Sequence, residues 1–298
     1  MRKLYLLLWE DLMVEIKNLT GLVIDMDGVL WHGGQAMAGL IEFFSELRIS
    51  GIPFVLATNN ASLTQQQYVD KLAGMGVVVK HNEVLTSSMA TASYLIQHLP
   101  SDKRRVFVIG EDGLREPLLE RGFILTDLYQ VNQPEKGIFE QGADLVVSGL
   151  DRQLTWDKLA TATLNINAGA QFFATNSDTT LPTELGEVMG NGGVLAALEA
   201  ATGVKPVSIG KPEPILYQQA LALLGSDAAG TIAIGDRLNT DILGAVNAGM
   251  RSIMVLTGVS SEQDITELDY SPTWVMDDIQ AITLVLRERT MRIQEQGQ

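Results

Sequence analysis

The chain has 298 residues, of which 46% are apolar and 19% are charged, as is typical of a soluble globular protein with one large or two smaller domains. Its 21 basic and 36 acidic residues give a net charge of −15, which argues against nucleic acid or an anionic membrane as a partner, because both attract an excess of basic residues. The chain has no cysteine and three histidines, so disulfides and thiolate metal sites are excluded and a histidine-rich zinc site is not expected.

The N-terminal residues resemble the start of a signal peptide, because basic residues precede an apolar run over residues 4–9. Glu10 and Asp11 interrupt that run too early, and no stretch of the chain has the length of a membrane span. We therefore interpret residues 1–18 as an N-terminal extension, with Met13 as an alternative start of translation. The lack of cysteine fits a cytoplasmic location, which we expect for this protein.

Apolar strand-like runs alternate with helical patterns along the rest of the chain, which predicts a parallel sheet with helices on both faces. In the first part, the predicted strands are 21–24, 53–57 and 76–79, and the predicted helices are 39–49 and 65–75. Further on, the predicted strands are 105–109, 144–147, 171–174, 207–209, 231–234 and 252–255, and the predicted helices are 113–121, 156–168, 194–201, 215–224 and 242–248. Thr64 is expected to cap the helix that follows it, and Gly203 to end the helix before it.

Two carboxylates stand directly after the first predicted strand. Asp25 and Asp27 follow an apolar run that is expected to be buried, and Gly28 then permits a sharp turn. Burying carboxylates costs free energy unless something pairs with them. This pattern therefore predicts a cation, a nucleophile or both at the carboxyl edge of the sheet, where open α/β sheets bind ligands.

Three further strand ends carry reactive or anion-binding groups, namely Thr58-Asn59-Asn60, Gly210-Lys211-Pro212, and Gly235-Asp236 with Asp241. Together with the two carboxylates they match a site for phosphoryl transfer. A carboxylate can attack phosphorus, Mg²⁺ held by carboxylates can neutralise the phosphate, and lysine, hydroxyl and amide groups can hold its oxygens. Asp27 is placed to give a proton to the leaving group and later to take one from water.

In this order, four motifs resemble those of the haloacid-dehalogenase superfamily of aspartate-nucleophile phosphatases: DMDGVLW at 25–31, TNNAS at 58–62, GKP at 210–212 and GDRLNTDI at 235–242. More narrowly, the chain resembles subfamily IIA, the p-nitrophenyl-phosphatase (NagD-like) branch, from about residue 20 to residue 285. The resemblance implies an α/β fold with a doubly wound, Rossmann-like parallel-sheet core formed by residues 19–85 and 206–298. An α/β cap domain of the C2 type would be inserted over residues 86–205.

The resemblance also implies a role for each motif residue. Asp25 would be the nucleophile and a ligand of Mg²⁺, and Asp27 would be the general acid and base, with its backbone carbonyl on the metal. Asp236 would be the third protein ligand, and Asp241 would orient a water bound to the metal. Phosphate would be held by four residues, which are Thr58, Asn59, Asn60 and Lys211.

Substrate choice is expected to come from the cap, since the core contacts mainly the phosphate. By resemblance, Asp178 and the segment after it approach the leaving group and set substrate specificity, and the apolar residues Leu181 and Pro182 favour a small or partly apolar group. Phosphoglycolate, pyridoxal phosphate, nucleotides, glycerol phosphate and sugar phosphates all remain open. A homodimer formed through the cap is a family expectation. The glycine-rich turn 190–193 is interpreted as a close-packed turn of the cap, because no Walker lysine follows it.

The predicted function is that of a Mg²⁺-dependent phosphatase, a phosphoric monoester hydrolase that acts on small phosphate esters through an aspartyl-phosphate at Asp25. Two alternatives stay open: a phosphotransferase or mutase with the same core, and a non-catalytic protein that binds phosphate esters or regulates through them. An oxidoreductase that binds a dinucleotide is disfavoured, because no glycine fingerprint follows the first strand.

Overall fold

The computed structural model describes residues 16–129, 142–183 and 185–296. Most of the predicted N-terminal extension, including Met13, lies outside the described residues. The chain divides into two compact units. The described part of the first comprises residues 16–57, 69–85 and 211–296, and that of the second comprises residues 58–68, 86–129, 142–183 and 185–210.

The strands of the described residues are, in chain order, β1 (Gly21–Ile24), β2 (Trp31–His32), β3 (Gln35–Ala36), β4 (Phe54–Thr58), β5 (Val84–Thr86), β6 (Arg105–Ile109), β7 (Ile124–Leu125), β8 (Leu145–Ser148), β9 (Gln171–Ala174), β10 (Thr180–Thr183), β11 (Gly186–Met189), β12 (Val207–Ser208), β13 (Thr231–Gly235), β14 (Arg251–Val255) and β15 (Trp274–Met276). The α-helices are α1 (Leu40–Ile49), α2 (Gln65–Gly74), α3 (Ser87–His98), α4 (Asp112–Glu120), α5 (Trp156–Asn167), α6 (Asn191–Thr202), α7 (Pro214–Leu224), α8 (Leu243–Asn247), α9 (Glu262–Ile265) and α10 (Ile279–Gln296). Short 3₁₀ turns cover Ile16–Asn18 and His81–Glu83, and a π-helical turn covers Leu238–Ile242.

The first unit is built on a six-stranded sheet with the order β15-β14-β13-β1-β4-β5. Strand β1 lies at its centre and pairs in parallel with β13 on one side and β4 on the other. All four residues of β1 are buried, as expected for a central parallel strand that is covered on both faces. Because Ile24 pairs with Ile234, the chain after β1 and the chain after β13 leave the sheet side by side.

The second unit has a five-stranded sheet with the order β12-β9-β8-β6-β7, whose pairings are parallel. Alternate residues of β6 and β8 enter two different cores. Phe107 and Val146 pack with α5 and α6, whereas Val108 and Val147 pack with α3 and α4. Both faces of this sheet are therefore covered by helices, and the prediction of a parallel-sheet α/β fold is confirmed.

Most predicted elements are present with ends shifted by one or two residues, but the strand predicted over 76–79 is wrong. Gly76 has φ +85°, which ends α2 in a turn, and Val78 is 82% exposed. Strand β5 forms eight residues after Gly76 instead and lies beside β4. Apolar residues alone do not make a strand, because a strand also needs a neighbour in the sheet to accept its backbone hydrogen bonds.

The predicted helix caps are present. The Thr64 Oγ1 accepts a hydrogen bond from the backbone of Gln67 (3.3 Å), and Gly203 follows α6 with φ +71°. The turn predicted over 190–193 is wrong in extent, because α6 begins at Asn191. The start of the helix is tightly packed, since a Cβ at Gly190 would lie 2.3 Å from the backbone oxygen of Asp178. Among the described helices, none combines the length and the apolar character that crossing a membrane would require.

Candidate active site

The turn after β1 brings Asp25 close to Asp236. Gly28 has φ +85°, and a Cβ there would lie 2.5 Å from the Asp236 Oδ2. A Cβ at Gly258 would meet the same oxygen at 1.8 Å. Two backbone segments therefore approach the Asp236 carboxylate more closely than any side chain would permit, which explains why glycine stands at both positions.

Lys211 is a buried cation in the first unit. Its side chain is 2% exposed, and its Nζ donates hydrogen bonds to the Asp25 Oδ1 (2.5 Å), the Asp241 Oδ1 (2.6 Å) and the backbone oxygen of Ala57 (3.1 Å). These three bonds match the three N–H donors of an ammonium group. Asp25 follows β1, Ala57 lies on β4, and Asp241 lies in the π-helical turn, so the site joins three elements of the unit.

The charges of this pair stabilise one another. Burial raises the pKa of Asp25 well above its ordinary value, and the neighbouring Lys211 opposes that rise. Burial by itself would lower the pKa of Lys211, but the carboxylates of Asp241 and Asp25 outweigh it, so the pKa of the ammonium group is raised and the lysine stays charged. A charged lysine beside a carboxylate is also a site where a phosphate dianion can bind.

Three carboxylates meet beside this lysine. One oxygen each from Asp25, Asp236 and Asp241 lies within 4.8 Å of the others, so three carboxylates and one ammonium group leave a formal charge of −2. The Asp236 Oδ2 accepts a hydrogen bond from the backbone of Val259 (2.8 Å), but its buried Oδ1 has no partner among the described residues. Burial and the neighbouring Asp241 raise the pKa of Asp236 to about 6.

This donor set fits a hard divalent cation. Mg²⁺ prefers oxygen ligands. A buried carboxylate oxygen normally has a bonding partner, and a metal ion could be the partner of the Asp236 Oδ1. Asp241 differs from Asp236, because its Oδ1 accepts from Lys211 and its Oδ2 accepts from the backbone N–H groups of Asp236 (3.2 Å) and Arg237 (3.0 Å). Asp241 is thus engaged by protein donors at both oxygens, and its place outside the direct metal ligands stays a prediction.

Asp27, the predicted acid and base, is partly buried in the same unit. Its Oδ1 accepts a hydrogen bond of 2.8 Å from the indole Nε1 of Trp31. Trp31 is not among the site residues predicted from the sequence. Its place in the DMDGVLW motif is a signal that was available, but the spacing of four residues suggests a contact only in a helix, whereas this segment is a turn.

The predicted phosphate-binding residues after β4 belong to the second unit, where they form a compact turn. The Thr58 Oγ1 accepts from the backbone of Asn60 (3.0 Å), and the Asn60 Oδ1 accepts from the Ser62 Oγ (2.7 Å). The Asn59 Nδ2 donates to both carboxylate oxygens of Asp178 (3.1 and 3.3 Å). Asn59, a predicted phosphate-binding residue, is therefore hydrogen-bonded to Asp178, a predicted specificity residue.

Two buried asparagine side chains, Asn176 and Asn191, stabilise the same turn by hydrogen bonds, and neither was predicted from the sequence. The Asn176 Nδ2 donates to the backbone oxygen of Asn59 (2.8 Å), and the Asn191 Nδ2 donates to the backbone oxygens of Asn176 (2.7 Å) and Ser148 (3.2 Å). The Asn191 Oδ1 accepts from the Ser148 Oγ (2.7 Å). Asn191 is the first residue of α6, within the glycine-rich stretch 190–193 that the sequence predicts to be a turn.

The other two predicted specificity residues lie on a two-stranded antiparallel hairpin of the second unit. Leu181 pairs with Val188, and Pro182 pairs with Glu187, on strands β10 and β11. Leu181 is partly exposed. The segment after Asp178 therefore forms a strand of a hairpin.

Comparison with known proteins identifies the family. A model of haloacid dehalogenase-like hydrolases matches residues 22–124, and a second model, of HAD-hydrolase-like proteins, matches residues 208–282. The 5′-nucleotidase YutF of Bacillus subtilis is 38% identical over 266 residues, which cover 89% of this chain and 97% of that protein. The chain belongs to the haloacid dehalogenase-like hydrolases.

Solved structures agree with this family. A 4-nitrophenylphosphatase from Thermotoga maritima has a TM-score of 0.81 and 31% identity, covering 90% of this chain and 98% of that one. A glycerol phosphate phosphatase from Mycobacterium tuberculosis, solved in complex with magnesium, has a TM-score of 0.80 and 35% identity, covering 90% of this chain and 78% of that one. The predicted p-nitrophenyl-phosphatase branch and the predicted enzyme class, a phosphoric monoester hydrolase, are confirmed by these matches.

Proposed function

We propose that this haloacid dehalogenase-like hydrolase is a Mg²⁺-dependent phosphatase of small phosphate monoesters that works through an aspartyl-phosphate on Asp25. The observation that carries the proposal is the buried Lys211, which is bonded to Asp25 at 2.5 Å beside the unpartnered Oδ1 of Asp236. Phosphoryl transfer of this kind requires a nucleophilic carboxylate, a fixed cation and a metal ligand. Asp25, Lys211 and the unpartnered Oδ1 of Asp236 can supply these three parts.

The reaction has two steps at phosphorus. In the first, an oxygen of Asp25 attacks phosphorus, the bond from phosphorus to the ester oxygen breaks, and Asp27 gives its proton to the leaving alcohol. In the second, water attacks the phosphorus of the aspartyl-phosphate while Asp27 takes a proton from it, which releases inorganic phosphate and restores the Asp25 carboxylate. Lys211 lowers the repulsion between the Asp25 carboxylate and the phosphate dianion.

Mg²⁺ would be held by carboxylate oxygens of Asp25 and Asp236 and by the backbone carbonyl of Asp27. Bound there, Mg²⁺ would neutralise negative charge on the phosphate and on the carboxylates around it. Asp241 would act indirectly, since its two oxygens already accept from Lys211 and from backbone N–H groups. The magnesium in the related glycerol phosphate phosphatase supports magnesium as the metal.

Thr58, Asn59 and Asn60 are proposed to bind the phosphate together with Lys211. Residues 86–205 are proposed to be the cap, inserted into a core formed by residues 19–85 and 206–298. Within the cap, Asp178, Leu181 and Pro182 are proposed to set the substrate preference. The names of the relatives, a 5′-nucleotidase and a glycerol phosphate phosphatase among them, support a small phosphate monoester as the substrate class. The cytoplasmic location and the homodimer remain predictions.

The experiment that tests the proposal measures phosphate release from a panel of small phosphate esters, in Mg²⁺ and in EDTA. It compares the wild type with Asp25→Asn and with Asp269→Asn, a control at an exposed acid of the same unit. We expect turnover to disappear in EDTA and in Asp25→Asn and to be unchanged in the control. Full turnover by Asp25→Asn would overturn the mechanism, and phosphate transfer to an added sugar in place of release would favour the phosphotransferase alternative.

A further inference from the structure

Trp31 is held by the burial of its side chain and by hydrogen bonds of both its backbone and its indole. Its side chain is completely buried, and its backbone oxygen accepts a hydrogen bond from the backbone N–H of Gly28 (2.8 Å). Its Nε1 then donates to the Asp27 Oδ1 at 2.8 Å. In the described part of the chain, the other carboxylate oxygen of Asp27 accepts no hydrogen bond from a side chain. The two oxygens of Asp27 therefore differ in their surroundings.

A lysine lies over the same indole ring. The Lys71 Nζ is 4.1 Å from the centre of the Trp31 ring, within the range of a cation–π interaction. Burial lowers the pKa of Lys71, and the charge of Asp27 opposes that change, so the ammonium group acts on the carboxylate as well as on the ring. A cation over the ring draws electrons from the indole and makes its N–H a stronger donor.

We propose that Trp31 is a positioning residue that orients Asp27 for proton transfer to the leaving group, with Lys71 strengthening its hydrogen bond. An N–H donor pairs best with the carboxyl oxygen that carries no proton. The bond to Oδ1 therefore assigns the transferable proton to Oδ2 and stops the carboxyl group from rotating. The inference rests on the proposed function, because it assumes that Asp27 is the general acid.

The test uses the leaving group to separate this role from a purely structural one. p-Nitrophenolate is a stable anion that leaves with little help from an acid, whereas an alkoxide needs a proton as it leaves. The variant Trp31→Phe keeps an aromatic ring but loses the N–H donor. We expect kcat/KM, which reports the step that releases the alcohol, to fall by about tenfold to a hundredfold for the alkyl phosphate that the wild type hydrolyses best. For p-nitrophenyl phosphate, kcat/KM should fall by less than about threefold.

A matched control exists in the same unit. Trp274 is also buried, at 9% exposure, and has the guanidinium group of Arg251 over its ring at 5.9 Å. Trp274→Phe should change both rates by the same factor. Lys71→Met leaves the indole in place, weakens its donor strength and removes a charge that also acts on Asp27. It should shift the ratio of the two kcat/KM values in the direction of Trp31→Phe, but less. If Trp31→Phe does not fold, an unchanged ratio in Lys71→Met still overturns the proposal, because the proposal requires the lysine to strengthen the hydrogen bond.

Equal losses for both substrates in Trp31→Phe, or an unchanged ratio in Lys71→Met, would overturn the positioning role. Asp27→Asn is measured alongside them to separate this inference from the proposed function. If Asp27→Asn discriminates between the leaving groups and the Trp31 and Lys71 variants do not, only the role of Trp31 fails. If Asp27→Asn lowers kcat/KM by the same factor for both substrates, the general-acid role of Asp27 fails, and the role of Trp31 fails with it, because kcat/KM does not include the later step in which Asp27 acts as a base.

Discussion

The Nζ of Lys211 lies 2.5 Å from the Asp25 Oδ1 and 2.6 Å from the Asp241 Oδ1, so one buried ammonium group forms ion pairs with two carboxylates. The three residues come from distant parts of the chain and meet in one compact unit. Each is costly to bury alone and stable only in the presence of the others. This mutual dependence makes the site a structural element as well as a candidate catalytic one, and it can be tested by stability as well as by activity.

Lys211→Met should therefore destabilise the protein and inactivate it together. Removing the ammonium group leaves two buried carboxylates without a cation, which we expect to lower the free energy of unfolding at pH 7 by about 3 kcal/mol or more. Urea denaturation measures this change. Lys205→Met is the control, because the side chain of Lys205 is 82% exposed and its contact with Glu199 is long, at 3.6 Å. A Lys211→Met protein as stable as the control would contradict the proposed dependence.

Asp236→Asn should separate metal binding from folding. Without metal, the substitution removes one of three neighbouring carboxylates, so we expect no loss in melting temperature. With Mg²⁺ added, the wild type should gain thermal stability through binding, and the variant should gain little or none. A thermal-melting series over Mg²⁺ concentration measures both effects without relying on activity. An equal response to Mg²⁺ in Asp236→Asn and in the exposed control Asp269→Asn would show that Asp236 is not a ligand.

Asn191→Ala should destabilise the second unit. The substitution removes a buried amide, 2% exposed, that bonds to Ser148 and to the backbone of Asn176. It leaves those groups without partners, which we expect to lower the free energy of unfolding by about 2 kcal/mol. Urea denaturation again gives the value, with the exposed Asn167→Ala as the comparison. A difference between the two variants of less than about 0.5 kcal/mol would mean that water replaces the lost bonds.

The ion pair between Arg48 and Glu83 should make stability depend on pH. Burial by itself would raise the pKa of Glu83, but the Arg48 guanidinium group and the backbone N–H of Lys80 outweigh it and hold the pKa below its ordinary value of 4.5. Since the folded state has the lower pKa, this stabilisation is complete above pH 4.5 and disappears as the pH falls through the pKa of the folded state. We expect the difference in melting temperature between the wild type and Glu83→Gln to be larger at pH 7 than at acidic pH.

The same measurement on Glu267→Gln, at an exposed position, should give a small difference that changes little with pH. The effect at Glu83 should also weaken when salt is added, because the Arg48 side chain is 42% exposed. A difference for Glu83→Gln that grew as the pH was lowered would have the wrong sign for this ion pair.

Local features of the sequence were sufficient for much of the fold. The apolar run of β1, the cap at Thr64 and the left-handed glycine after α6 depend on neighbouring residues alone, and each was predicted correctly. The strand predicted over 76–79 failed because its existence depended on a partner in the sheet, and that place beside β4 is taken by β5. Local patterns record what a segment prefers, but they do not record which segment reaches the sheet.

The sequence by itself determined which chemical groups follow the strands of this protein, because acids, amides and lysine at strand ends are visible in the order of the residues. Only the tertiary structure decided how they pair. The bond from Lys211 to Asp25 spans 186 positions, and that from Asn59 to Asp178 spans 119. The bond from Trp31 to Asp27 spans four, but it depends on a turn with no helical repeat. Such contacts form because burial forces each polar group to find a partner, and which partner it meets depends on how the strands are ordered in the sheet.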